Sequence, residues 1–325
     1  MIVITGAAGF ISSSLARRLN EARFFDLILV DDFVSRPDKF QNHSELKCAS
    51  RVERDDFEDW LHANQSQVQF IFHLGARTDT TEQDRQLFDR LNLDYSKMVW
   101  SLCVQYGLPL VYASSAATYG GGEHGYVDDH EGVQDLRPLN PYGDSKQDFD
   151  VWALDEAAAG RSPYFWAGLK FFNVYGPGEQ HKGRMASVVQ HAFKQIRETG
   201  AMKLFASHRE DVENGHQSRD FVYVGDVVEV CYFLMHHRKD SGLYNLGSGT
   251  ARSFLDLVTA VFVSLELPAD ISFIDTPADI RDTYQYYTCA EMSKLKSIGY
   301  DRPFTSLEEG VKGYVKYLQA SEVGT

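Results

Sequence analysis

Cysteine and proline are scarce in this 325-residue chain, at four and nine residues. The cysteines, Cys48, Cys103, Cys231 and Cys289, stand far apart and form no CxxC pair or knuckle. Such spacing argues against a disulfide framework or a cysteine zinc site, and for free thiols in a reducing compartment. The 11 histidines include no HExxH and no tight His/Asp cluster, so no metal site is expected. Positive charge is also short: 32 Lys and Arg stand against 46 Asp and Glu, a net charge of −14. This balance disfavours a nucleic-acid groove or a polybasic membrane surface, though it permits a local basic pocket for a phosphorylated metabolite. No apolar run approaches the ~18 residues of a membrane span, and the opening MIVITGAAGF carries no basic segment or cleavage pattern. The expectation is a soluble, cytoplasmic protein with no nucleic-acid and no membrane partner.

What is present is a globular composition, 43 % hydrophobic and 24 % charged. The length exceeds the usual single-domain mode, which favours one large domain carrying a smaller lobe. Short apolar runs at 1–5, 27–30, 68–73 and 110–113 alternate with helical patterns at 10–20, 55–64, 82–106 and 142–159. This alternation predicts an α/β fold with a doubly wound parallel sheet (Rossmann) over 1–175. A smaller, interleaved C-terminal substrate-binding lobe is expected mainly over 176–325, with a segment near 219–246 returning to the first domain.

Directly after the first strand comes Gly6-Ala7-Ala8-Gly9-Phe10-Ile11-Ser12, then a helix. Gly6 suits a tight turn, and Gly9 lets backbone approach a pyrophosphate seated on the helix N-terminus. Ser12 replaces a third glycine and is small enough to fit. Asp31 ends the second strand 25 residues after Gly6, where a ribose-binding carboxylate belongs. Asp31 and Asp32 by themselves favour NAD, because they repel a 2′-phosphate. Arg36 and Lys39 follow and can neutralise one, so charge alone leaves NAD and NADP open.

Tyr142 and Lys146 are four apart, which on a helix puts both on one face. A lysine there is expected to lower the phenol's pKa, so that a phenolate takes a hydroxyl proton while a nicotinamide takes hydride. Ser115 ends the strand LVYASS at a carboxyl edge, where doubly wound sheets bind ligands, and can hydrogen-bond the reacting oxygen.

With TGAAGFI at 5–11, ASSAATYGG at 113–121, PLNPYGDSK at 138–146, FFNVYGPGEQHKGRMASV at 171–188, RDFVYVGDV at 219–227 and YNLGSG at 244–249, the chain resembles a known group. It is similar to the extended short-chain dehydrogenase/reductases of the nucleotide-sugar epimerase and dehydratase class. HKGRMAS at 181–187 resembles the branch that inverts C6 of an ADP-linked heptose. The resemblance implies NADP, an ADP-heptose substrate, oxidation of the C6 hydroxyl to a ketone with hydride returned to the other face, and a homo-oligomer. It places Gly6, Gly9, Phe10, Ile11, Asp31, Asp32 and Lys39 at the cofactor, joined by Tyr142 and by Lys146 on the nicotinamide ribose. It makes Tyr142 and Lys182 the two acid/base groups, with Ser115 beside them. Ser115, Asn173, His181, Lys182, Arg219 and Tyr284 fall on the substrate side, with Arg219 suited to a diphosphate. The chain departs from the pattern at Thr283, where a basic residue is common, at Arg77 and Asp79, where serines are, and in a longer loop at 208–217. A 4-epimerase or 4,6-dehydratase is the alternative; the dehydratase's acidic pair has no counterpart in Ala117-Thr118-Tyr119.

Overall fold

A computed structural model describes residues 1–278, 281 and 284–323; Thr283 lies outside the described residues. Six strands precede residue 172: β1 (Ile2–Thr5), β2 (Leu27–Asp31), β3 (Ser50–Glu53), β4 (Phe70–His73), β5 (Leu110–Ser115) and β6 (Trp166–Phe171). Six follow: β7 (Asn173–Tyr175), β8 (Met202–Phe205), β9 (Ser218–Tyr223), β10 (Gly242–Leu246), β11 (Ala251–Ser253) and β12 (Ile271–Ile274). The central sheet has seven strands in the order β10-β6-β5-β4-β1-β2-β3, and every pairing is parallel. Strands such as IVIT and LILVD are buried along their whole length, as a parallel sheet covered on both faces requires. The expected doubly wound α/β fold is therefore the observed one. β3 escapes sequence detection because SRVE is a half-exposed edge strand with one buried apolar residue, Val52.

The long helices are α1 (Phe10–Glu21), α2 (Tyr95–Tyr106), α3 (Pro141–Ala158), α4 (Val188–Thr199), α5 (Val224–His236), α6 (Phe254–Ser264) and α7 (Leu307–Val323). α3 starts where Asn140 accepts a bond from the Gly143 amide at 2.8 Å, with Pro141 at the first helical position. The single helix expected over 82–106 is instead a short turn at Arg85–Phe88, a π-helical stretch at Asp89–Asp94, then α2. The wide turn carries Asn92, whose side chain bonds the Arg77 backbone amide (2.8 Å) and carbonyl (3.0 Å) and Ser145 Oγ (2.9 Å).

After residue 172, β7 and β9 pair in parallel and β9 and β11 antiparallel, while β8 and β12 form a separate two-stranded sheet. α4, α6 and α7 enclose a core of their own around Phe193, Val261 and Tyr314. β10 does return to the central sheet, beside β6, and α5 lies on α1 through the Arg18–Glu229 ion pair. β9 does not return: it belongs to the three-stranded sheet, so the returning segment is shorter than 219–246.

Candidate active site

The carboxyl ends of β1, β2, β4 and β5 bring the glycine turn, Asp31, residues 74–79 and Ser115 to one end of the sheet. A cleft of about 490 Å³ opens there, walled by Gly6, Gly9, Phe10, Ile11, Asp31 and Asp32, with Lys39 and Lys182 also in its lining. Gly6 has φ +66°, and a Cβ on it would lie 2.5 Å from Gly75 Cα, so only glycine fits. Gly9 precedes α1 without a side-chain cap, and the first turn carries no acidic residue. The first amides of α1 thus offer an anion site, as a pyrophosphate requires. Asp31 Oδ2 accepts the Ala8 amide at 2.9 Å, while Oδ1 accepts the Asp32 amide at 2.8 Å and Lys39 Nζ at 3.2 Å. Ser12 takes the third-glycine position by burying its hydroxyl on the Thr5 carbonyl, 3.2 Å away. These residues fit a dinucleotide. Arg36 reaches the cleft too, but its guanidinium is held by Asp38 at 2.9 and 2.7 Å.

Ser115 accepts the Ala117 amide at 3.1 Å. Burial pushes the Tyr142 phenol above its ordinary value of 10, with the neighbouring Ser115 hydroxyl opposing and the Asp150 charge adding to the rise. The expected lowering by Lys146 is not found. Lys146 is on the same helix face, but its ammonium donates to the Ala113 carbonyl at 2.8 Å, and burial pushes it down to about 8 against the pull of Asp150. In this state desolvation outweighs the helix-face argument.

Lys182 comes from a 3-10 turn, Gln180–Met185, entering the cleft from the C-terminal side of the chain. Its ammonium sits 5.6 Å from the centroid of the Phe10 ring, and burial lowers its pKa while Glu179 opposes. His181, expected on the substrate side, lines the same cleft as Lys182 and the glycine turn. Its Nδ1 is 3.0 Å from Asn42 Nδ2, and burial, with Lys39 and Lys182 nearby, pushes its pKa down to about 4. Asn42 was not legible as a site residue: its amide also donates to Ala8 and Gly178 carbonyls, both at 3.0 Å, tying the glycine turn to the Lys182 segment.

Arg219 and Tyr284 meet in the C-terminal lobe, the guanidinium 5.6 Å from the Tyr284 ring and 5.5 Å from that of Phe254. Arg219 is 7 % exposed and donates to the Ser218 and Gln285 carbonyls; among the described residues no carboxylate forms an ion pair with it. A buried cation without a counter-charge suits an anionic ligand group. Asn173 is exposed on β7, paired with Phe221 of β9, two residues along from Arg219. Ser115, Lys146 and Tyr142 do not line the 490 Å³ cleft itself; they stand at the end of β5 and the start of α3.

The sequence profile of the NAD dependent epimerase/dehydratase family matches residues 2–247. The chain is 43 % identical to an ADP-L-glycero-D-manno-heptose-6-epimerase of Fusobacterium nucleatum, covering 99 % of each. It is 44 % identical to one of Nitratidesulfovibrio vulgaris, again over 99 % of each. The crystal structure of the Helicobacter pylori ADP-L-glycero-D-manno-heptose-6-epimerase superposes with a TM-score of 0.82 at 29 % identity, covering 98 % of this chain and 96 % of that one.

Proposed function

The chain belongs to the NAD dependent epimerase/dehydratase family, and on that premise we propose that it inverts C6 of ADP-D-glycero-β-D-manno-heptose with NADP as its cofactor. The observation that carries this reading is Lys182, a desolvated amine brought into the dinucleotide cleft from a segment far from Tyr142 in sequence. The exocyclic C6 can swing its oxygen from one side of a pocket to the other, so each orientation needs its own proton carrier.

When bound, the dinucleotide supplies acceptance and return of hydride. The chain's residues handle the protons. Desolvation favours the neutral form of both groups, a phenol at Tyr142 and an amine at Lys182. The Lys182 amine takes the C6 hydroxyl proton as the ketone forms. After the side chain swings, the Tyr142 phenol donates its proton to the new alkoxide, and exchange with solvent takes the proton off the Lys182 ammonium and returns one to the Tyr142 phenolate. Ser115 orients the oxygen on the Tyr142 side, Lys146 holds the nicotinamide ribose, and Arg219, Tyr284 and Asn173 hold the ADP portion.

NADP is preferred over NAD on the ground that Arg36, Lys39 and Arg54 all line the cleft around Asp31 and Asp32. Protein denatured after purification should release mainly NADP. Incubation with the D-glycero substrate, followed by NMR of the C6 configuration, should give a mixture of both epimers. Return of unaltered substrate would refute the activity.

A further inference from the structure

Beneath the middle of α3 lies an ion pair with no solvent contact. Lys170 of β6 and Asp150 of α3 meet at 2.7 Å, both side chains 0 % exposed. Burying two opposite charges is costly, and an apolar pair of similar volume is often equally stable. What marks this pair is where its remaining bonds go. Asp150 also accepts Tyr112 Oη at 3.0 Å and Ser114 Oγ at 2.6 Å, both from β5, and Ser114 immediately precedes Ser115. Lys170 Nζ donates at 2.8 Å to Thr118 Oγ1, which donates at 2.8 Å to the carbonyl of Ser115 itself. Asp150 stands one helical stride beyond Lys146 and two beyond Tyr142, on the same face of α3. The pair therefore bonds to both sides of Ser115 and shares a helix with Tyr142 and Lys146.

We propose that Asp150 and Lys170 are positioning residues that lock the Ser115 end of β5 against the Tyr142–Lys146 face of α3 and set the charge felt by that face. The proposal rests on the reading of Tyr142 as a proton carrier. Asp150 shares their helix, and its carboxylate opposes ionisation of Tyr142 and favours the charged form of Lys146. The other ionisable groups around the pair are Tyr112, Tyr119, whose ring centroid is 5.1 Å from Lys170 Nζ, and His130; His73 of β4 faces Lys146.

The test is direct titration of Tyr142 by NMR in protein labelled with 13Cζ-tyrosine, the signal assigned with Tyr142→Phe. In Asp150→Asn the phenol should ionise at a pH lower by about one unit, a tenfold change in its ionisation constant. In the neutral pair Asp150→Asn/Lys170→Met the shift should be smaller than in Asp150→Asn, because the stranded cation is gone. A Tyr142 midpoint unmoved in folded Asp150→Asn would overturn the proposal. Loss of cooperative folding in both variants would overturn it too, by assigning the pair to stability alone. The readout needs no substrate: inactivity of the unmutated protein on ADP-heptose would refute the function and leave the Tyr142 shift to be measured.

Discussion

Tyr142 and Lys182 are both desolvated, and desolvation moves their pKa values in opposite senses, up for the phenol and down for the ammonium. Activity should therefore rise with pH through the depressed Lys182 pKa, below the ordinary lysine value of 10.5, and fall as Tyr142 ionises above 10. A bell-shaped profile of turnover against pH checks this, and Lys182→Ala should abolish epimerisation. Tyr142→Phe should lower turnover by about 10²–10⁴-fold, the usual contribution of a positioned proton carrier, while dinucleotide still binds. Full product formation by Tyr142→Phe over the same time course would refute its role. Lys39 lies 3.2 Å from Asp31 inside the cleft, and on the proposed reading it holds the 2′-phosphate of NADP. Lys39→Ala should weaken NADP binding more than NAD binding, read by fluorescence titration with both reduced dinucleotides.

At the scale of elements, the β1–turn–α1 unit depends on one backbone conformation. Gly6 at φ +66° stands so close to Gly75 that Gly6→Ala combines a strained left-handed residue with a 2.5 Å contact to backbone. Destabilisation of roughly 1–3 kcal/mol and loss of dinucleotide binding are expected, read by thermal melting with and without NADPH. This unit was legible in sequence because its cause is local: strand, glycine turn and helix succeed one another within 21 residues. The π-helical stretch at Asp89–Asp94 was not, since it answers to Asn92's bonds with Arg77 and Ser145. Nor was β3, which gains its place only by pairing along β2.

For the whole molecule, buried His73 and half-buried His130 and His181 contribute to the response to acid. Burial pushes His73 down to about 3 and, with Lys294 beside it, His130 to about 4; His181 falls to about 4. The unfolded chain protonates these imidazoles near pH 6.5, so their contribution to stability is complete above that value and is lost as pH falls toward 4 and then 3. Melting temperature should decline over this window. In His73→Gln, which removes the imidazole that bridges Thr5 Oγ1 at 2.7 Å and Ser96 Oγ at 2.9 Å, the decline should be shallower and the melting point at neutral pH lower. Parallel curves for the two proteins would refute the assignment. No helix among the described residues is long and apolar enough to cross a membrane. A homo-oligomer is a separate proposal, and sedimentation showing only the 36.8 kDa species would reject it.

The sequence by itself determined the alternation of strands and helices, the glycine turn with its acidic strand end, and the Tyr142–Lys146 spacing. Each follows from periodicity or from residues a few positions apart. Tertiary structure decided the rest. It sent β10 back beside β6, engaged the Lys146 ammonium on the Ala113 carbonyl, and put His181 in the cleft beside the glycine turn. It also buried Lys170 against Asp150, 20 residues away in sequence and on another element. The reason is common to all four: desolvation and the partners of a buried polar group depend on what packs around it, and those neighbours are brought there by segments remote in the chain.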